Sequence, residues 1–237
     1  MAILLPLLLA VTSNAVCPPS PPLDYAHHQR DLRNYIGLLS SPGFFPYQPC
    51  AARIHPVDVF ASPSNSHRVA QLRRTTVGGY CQAVVHTATN SSVAECPRSD
   101  LPVDEYSYEE KGFIVLEMVP GWVRIRLDKG SGWIRREPGS ELHRYEDLGA
   151  AMGFLSNDWN GALFRAPNGK SWKPKKATDR SIEMIDVKRL NGTLWFKVRL
   201  LERTPCSDKD PATVAVGWVR AYDAHGSPIV GYYPRGC

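Results

Sequence analysis

The sequence lacks the short signatures that usually mark a catalytic centre. It contains no Gly-x-Ser-x-Gly, no His-Glu-x-x-His, no phosphate-cradling glycine loop and no dinucleotide fingerprint. Its histidines show no ligand spacing: His27 and His28 are adjacent, so on a helix they would point apart, and His55, His67, His86, His143 and His225 stand alone. None of the six cysteines sits in a Cys-x-x-Cys pair, which argues against a metal clip or a redox dithiol. No apolar run approaches the ~20 residues that a membrane-crossing helix needs. Positive charge is also missing from the extreme start, Met1-Ala2. These absences lead to the expectation of a non-enzyme with no cofactor, no resident metal, no nucleic-acid partner and no transmembrane segment. Asp104 and Glu105 with Glu109 and Glu110 come nearest to a catalytic carboxylate pair, though acidic clusters in loops are usually solvated.

What is present points outside the cell. Ile3 to Val11 is apolar apart from Pro6 and is followed by Ser13-Asn14-Ala15, small side chains three residues and one residue before a cut. That is the grammar of a signal peptide spanning residues 1–15, and it predicts a secreted or periplasmic protein. Six cysteines then remain, Cys17, Cys50, Cys81, Cys96, Cys206 and Cys237. An even number in an exported chain favours disulfides, with neighbours the simplest pairing: Cys17 with Cys50, Cys81 with Cys96, Cys206 with Cys237. The net charge of +5 is uneven. Arg165 to Arg203 holds 11 Lys or Arg against four acids, so the cationic character belongs to the second half. Such a stretch suits an anionic partner, and equally a plain solvated face.

Residues 16–51 open with Cys17-Pro18-Pro19-Ser20-Pro21-Pro22, an extended arm. In Leu23 to Leu39, the spacing of Leu32, Tyr35, Ile36 and Leu39 predicts a short helix ending before Pro42-Gly43. Beyond it the chain repeats itself. Trp122-Val123-Arg124-Ile125-Arg126-Leu127 matches Trp195-Phe196-Lys197-Val198-Arg199-Leu200 in chemical type at every position. Gly132-Trp133-Ile134-Arg135 and Gly217-Trp218-Val219-Arg220 follow, while Phe60-Ala61-Ser62-Pro63 and Phe164-Arg165-Ala166-Pro167 precede. Three matches in one order indicate a duplicated unit. Phe60 and Trp122 lie 62 positions apart, against 31 for Phe164 and Trp195, so the first copy carries an insertion, placed near residues 75–105. Disulfides there would restrain loops lacking a core of their own.

Phe113 to Met118 is β-branched and apolar, Pro120-Gly121 turns the chain, and the strand beginning at Trp122 alternates strictly. Short strands at this spacing predict a mainly β chain of small barrels or sandwiches. On these motifs both halves resemble bacterial SH3-like (SH3b) domains, over about residues 52–137 and 160–237, with 138–159 as a linker. The resemblance implies two tandem five-stranded, partly open barrels behind a short N-terminal helix. It also implies a non-catalytic targeting role towards bacterial cell-wall material or peptides. The acidic, tyrosine-rich stretch that serves proline-ligand binding in eukaryotic SH3 domains is absent after Phe60 and Phe164.

Alternation assigns directions. Val123, Ile125 and Leu127 share one face and Trp122, Arg124 and Arg126 the other; in the second copy Trp195, Lys197 and Arg199 face outward. Each outward indole has two readings, a cover lying on arginine stems or a platform for a ligand. Tyr106 and Tyr108 are candidates for the rim of the first groove, and Trp172, Lys173, Lys175 and Lys176 for an anion-contacting loop tip. Trp133 and Trp218 read as packing residues. Three functions compete: attachment to cell-wall or other anionic envelope polymer, a disulfide-stapled subunit or inhibitor that meets a protein partner, and a cell-wall hydrolase whose site is dispersed in sequence.

Overall fold

The structure, a computed structural model, describes residues 35–45, 55–77, 80–87, 99–107, 110–128, 130–148, 152–174, 180–204 and 211–233. The first half runs β1 (Gly37–Ser40), β2 (Val57–Phe60), β3 (Arg68–Val77), β4 (Tyr80–Thr87), β5 (Ser99–Asp100), β6 (Val103–Ser107), β7 (Glu110–Val119), β8 (Trp122–Arg126), β9 (Ser131–Arg135) and β10 (Leu142–Arg144). A single turn of helix, α1 (Tyr145–Leu148), leads into β11 (Met152–Leu155), β12 (Leu163–Phe164), β13 (Ser171–Trp172), β14 (Ser181–Leu190), β15 (Thr193–Leu201), β16 (Thr213–Arg220) and β17 (Val230–Tyr232). The chain is mainly β, as its alternation predicts. The strands form two antiparallel sheets, ordered β10-β1-β7-β8-β9-β2-β3-β4-β5 with β6 beside β7, and β13-β12-β16-β15-β14-β11-β17. Among the described residues neither sheet closes into a barrel. No helix among them is long and apolar enough to cross a membrane.

The two halves share one pairing scheme. β1 lies between β7 and β10, and β11 lies between β14 and β17. β7, β8 and β9 form a meander, as do β14, β15 and β16. Phe60 of β2 pairs with Trp133 of β9, and Phe164 of β12 pairs with Trp218 of β16. Even the irregularity recurs: the ladder slips between Val115 and Glu117 in one copy and between Met184 and Asp186 in the other. Bulges at matched positions give both long strands the same bend.

The Gly-Trp pairs have a steric cause. A Cβ on Gly132 would strike Val59 Cγ1, and a Cβ on Gly217 would come 2.9 Å from Leu163 Cβ. The early strand of each half crosses over the glycine, and only a residue without a side chain admits it.

There are two interiors. Leu39, Val59, Leu72, Phe113, Val115, Val123, Ile125 and Ile134 fill the first; Leu155, Leu163, Ile182, Phe196, Val198, Leu200 and Val219 fill the second. The second core also takes Tyr35, Leu38, Ile114 and Tyr145 from the first half. Successive side chains of β1 and β7 therefore serve different cores, which explains why Phe113 to Val115 is an unbroken apolar run. Phenol groups complete the seam. Tyr145 donates to the carbonyls of Val230 and Ala221, Tyr222 donates to the carbonyl of Tyr35, and Tyr35 and Tyr232 hydroxyls stand 3.5 Å apart.

Three expectations change. The helix expected over Leu23 to Leu39 is overturned at its end, where Gly37–Ser40 is strand; residues before 35 lie outside the described ones. Leu38 and Leu39 point to opposite cores, an arrangement available to adjacent residues of a strand. Residues 138–159 are more than a linker, because β10 and β11 within them hydrogen-bond to β1, β14 and β17. The insertion near 75–105 is more than a loop: the end of β3 with β4 and β5 extends the sheet there, and Val85 and Leu101 bury into the first core. Cys81 falls in β4, but its side chain and the other five cysteines lie outside the described residues, and with them the expected pairings.

Candidate functional site

The outer face of the first meander is built around β8. Val123 and Ile125 are fully buried, so period two turns Trp122, Arg124 and Arg126 outward, all three half-buried. Trp122 is paired with Arg135 across the β8–β9 ladder, and the Arg135 guanidinium lies 5.3 Å from the indole centroid. Phe60 meets the same indole at right angles, centroid to centroid 5.4 Å. Arg135 also donates through Nε to Asn65 Oδ1 at 3.1 Å, which fixes the plane of its guanidinium. Beside Asn65 runs a line of hydroxyls, Ser62 to Ser64 at 3.0 Å and Ser64 to Ser66 at 2.9 Å. Arg124 pairs with Glu117 across the ladder at 3.0 Å and sits 5.9 Å above Trp133. Its Nε is buried with no hydrogen-bond partner.

The second half repeats the constellation and closes it. Phe164 meets Trp195 at right angles with centroids 5.1 Å apart, and Arg220 lies 5.4 Å from Trp195 and 5.9 Å from Phe164. Trp195 is 0 % exposed, and its Nε1 has no hydrogen-bond partner. The register does put it on the outer face, and with no exposed surface it fits the first of the two readings, a covered indole with Phe164 and Arg220 against it. Lys197 is half-buried, and Arg199 makes a 2.6 Å ion pair with Glu183. Trp133 and Trp218 are both buried, consistent with packing.

The remaining candidates lie elsewhere. Tyr106 stacks on His143 with centroids 3.9 Å apart and packs against the second core, so it belongs to the seam and not to a groove rim. Tyr108, Lys175, Lys176 and Glu109 are outside the described residues. Trp172 pairs with Leu163 and is half-buried against the second core, leaving Lys173 exposed beside it. Asp104 faces Tyr232, which donates to it at 3.5 Å. Desolvation under this seam, reinforced by neighbouring Glu105, raises the Asp104 carboxyl above the usual value, while the N–H of Glu105 opposes the rise. The residue keeps solvent exposure, which limits the effect. Glu105 lies opposite Lys111 and Ser107 opposite Glu110 in the β6–β7 ladder. Among the described residues no group of three His, Cys, Asp or Glu could hold a metal ion.

The residues missed in sequence are Arg135, Arg220, Phe60, Phe164 and Asn65. The first four stood in the repeated motifs, and the signal was their recurrence: each copy supplies a ring and an arginine to its outward indole. Chemically the face offers fixed guanidinium groups on aromatic seats, an arrangement suited to anions. No protein-family model, no curated protein and no solved structure matches the chain.

Proposed function

We propose that this is an exported, non-catalytic binding protein in which two SH3-like units attach to cell-wall or other anionic envelope material. The barrel reading draws support from the pairing scheme common to both halves: a first strand shared between the long bent strand and the last strand, and an early strand laid across the third of the meander. The binding reading draws support from one observation above all, the phenylalanine–tryptophan–arginine constellation on the outer face of the first meander, where Trp122 keeps exposed surface and Arg135 is exposed. The Arg135 guanidinium, exposed on the outer face of the first copy, suits a receptor for negative charge, and the excess of cations between Arg165 and Arg203 adds long-range attraction.

A second reading, a subunit or inhibitor that meets a protein partner, is favoured by the β3–β4 hairpin, which among the described residues has no counterpart in the second copy. The two readings separate in one experiment. Purified protein is mixed with isolated cell envelopes and sedimented over a range of salt concentrations. Retention that weakens as salt rises supports attachment to anionic polymer. Absence of retention at every salt, with recovery of a defined protein partner instead, would transfer the argument to the second reading.

A further inference from the structure

We infer that the two copies have diverged, so that Arg135 is a carboxylate receptor for an acidic peptide while Arg220 is a lid that seals its own tryptophan. This rests on the binding reading above and specifies its chemistry at one residue. Arg220 lies against two rings at once, and the indole beneath has no exposed surface. Arg135 lies on one ring, and Trp122 keeps part of its surface in solvent. Arg135 is itself exposed, and the bond from its Nε to Asn65 holds the guanidinium plane still. Among the described residues neither Nη of Arg135 has a hydrogen bond or an acidic partner. The two Nη groups are the fork that grips a carboxylate with two parallel bonds. Orientation by Asn65 and Trp122 removes much of the entropy that an exposed arginine loses on binding.

The neighbours select the kind of carboxylate. Trp122 is only half-buried and is flanked by Arg135 and Phe60, so it offers an apolar rim beside the cation and not a broad stacking face. Asn65 borders the same spot with its side-chain amide, and its sequence neighbours Ser64 and Ser66 carry hydroxyls on the same loop. A carboxylate on a short apolar stem next to amide groups fits this border, as an acidic side chain in an extended peptide supplies.

The test is a calorimetric titration of the full chain with an oligoglutamate peptide and with its all-glutamine counterpart. The wild type is expected to bind the first and not the second. Arg135→Leu keeps the stem against Trp122 but removes the fork, and is expected to weaken binding about tenfold or more. Arg135→Lys keeps charge without the fork, is expected to fall between, and gives an answer if the leucine variant does not fold. Arg220→Leu is expected to leave affinity within about twofold while lowering the melting temperature. Wild-type affinity in both Arg135 variants, an equal loss in Arg220→Leu, or no binding of oligoglutamate by the wild type overturns the inference. If the wild type still sediments with envelopes in a salt-dependent way in those cases, the broader binding reading survives; if it does not, both fall.

Discussion

Trp122 and Trp195 hold the same position in the two halves, each directly across the ladder from an arginine, yet one is half-buried and the other has no exposed surface. The difference separates their energetic roles. Trp195→Ala removes a fully enclosed indole and should cost about 3–5 kcal/mol of stability, the usual range for a buried aromatic. Trp122→Ala should cost clearly less. Urea unfolding followed by circular dichroism measures both, and equal costs would contradict the assigned burial.

Gly132 admits the crossing strand β2. Gly132→Ala would drive a methyl group into Val59 and is expected to destabilise the chain by about 1–3 kcal/mol, in the range of other overpacked sites. Gly121 offers the control, because nothing lies within 4 Å of the Cβ position there. Its positive φ of 76° makes Gly121→Asn the fitting comparison, since asparagine tolerates that conformation, and little change is expected. Thermal melts of the two variants compare them directly.

The seam between the halves predicts behaviour in alkali. Burial is the main force pushing the Tyr35 and Tyr145 hydroxyls well above their ordinary value of 10.0, and it raises Tyr222 and Tyr232 as well. A raised folded-state pKa contributes stability that is complete below the unfolded value and is lost as pH climbs past it. Stability should therefore decline above about pH 10, with phenolate absorbance for these four tyrosines appearing together with unfolding and not before it. Tyr145→Phe should cost about 1–3 kcal/mol at neutral pH, because it strands the buried carbonyl of Val230.

Asp104 works in the same sense at the other end of the scale. Its carboxyl is raised chiefly by desolvation, so the folded state favours the protonated form, and that contribution fades as pH rises through the folded pKa. Asp104→Asn should melt higher than wild type at neutral pH and approach it in acid. The gap in melting temperature between the two proteins, followed from acid to neutral pH, reads this out; a gap that widens in acid has the wrong sign for the account.

How far these features were legible depends on where each partner lies in sequence. The β8 strand was readable because one of its faces is buried and the other is not, which prints period two on Trp122 to Leu127. The duplication was readable because close approach and packing impose the same residues twice, Gly132 with Gly217 and Phe60 with Phe164. The β1 strand was not: both its faces are covered, so Leu38 beside Leu39 gives no alternation, and the spacing from Leu32 and Tyr35 imitates a helix. The sealing of Trp195 was also out of reach, since Phe164 and Arg220 come from strands well before and after it. Likewise, the phenols of the seam join Tyr35 to Tyr222 and Tyr232 across most of the chain.

The central claim is that an outward aromatic and cationic face of the first half meets negatively charged envelope material. Its most direct test is nuclear magnetic resonance of the indole N–H groups during titration with soluble envelope fragments. The account expects the Trp122 resonance to shift in proportion to ligand added and the Trp195 resonance to stay in place. Saturating fragments that move no indole, or that move Trp195 while Trp122 remains still, would contradict it.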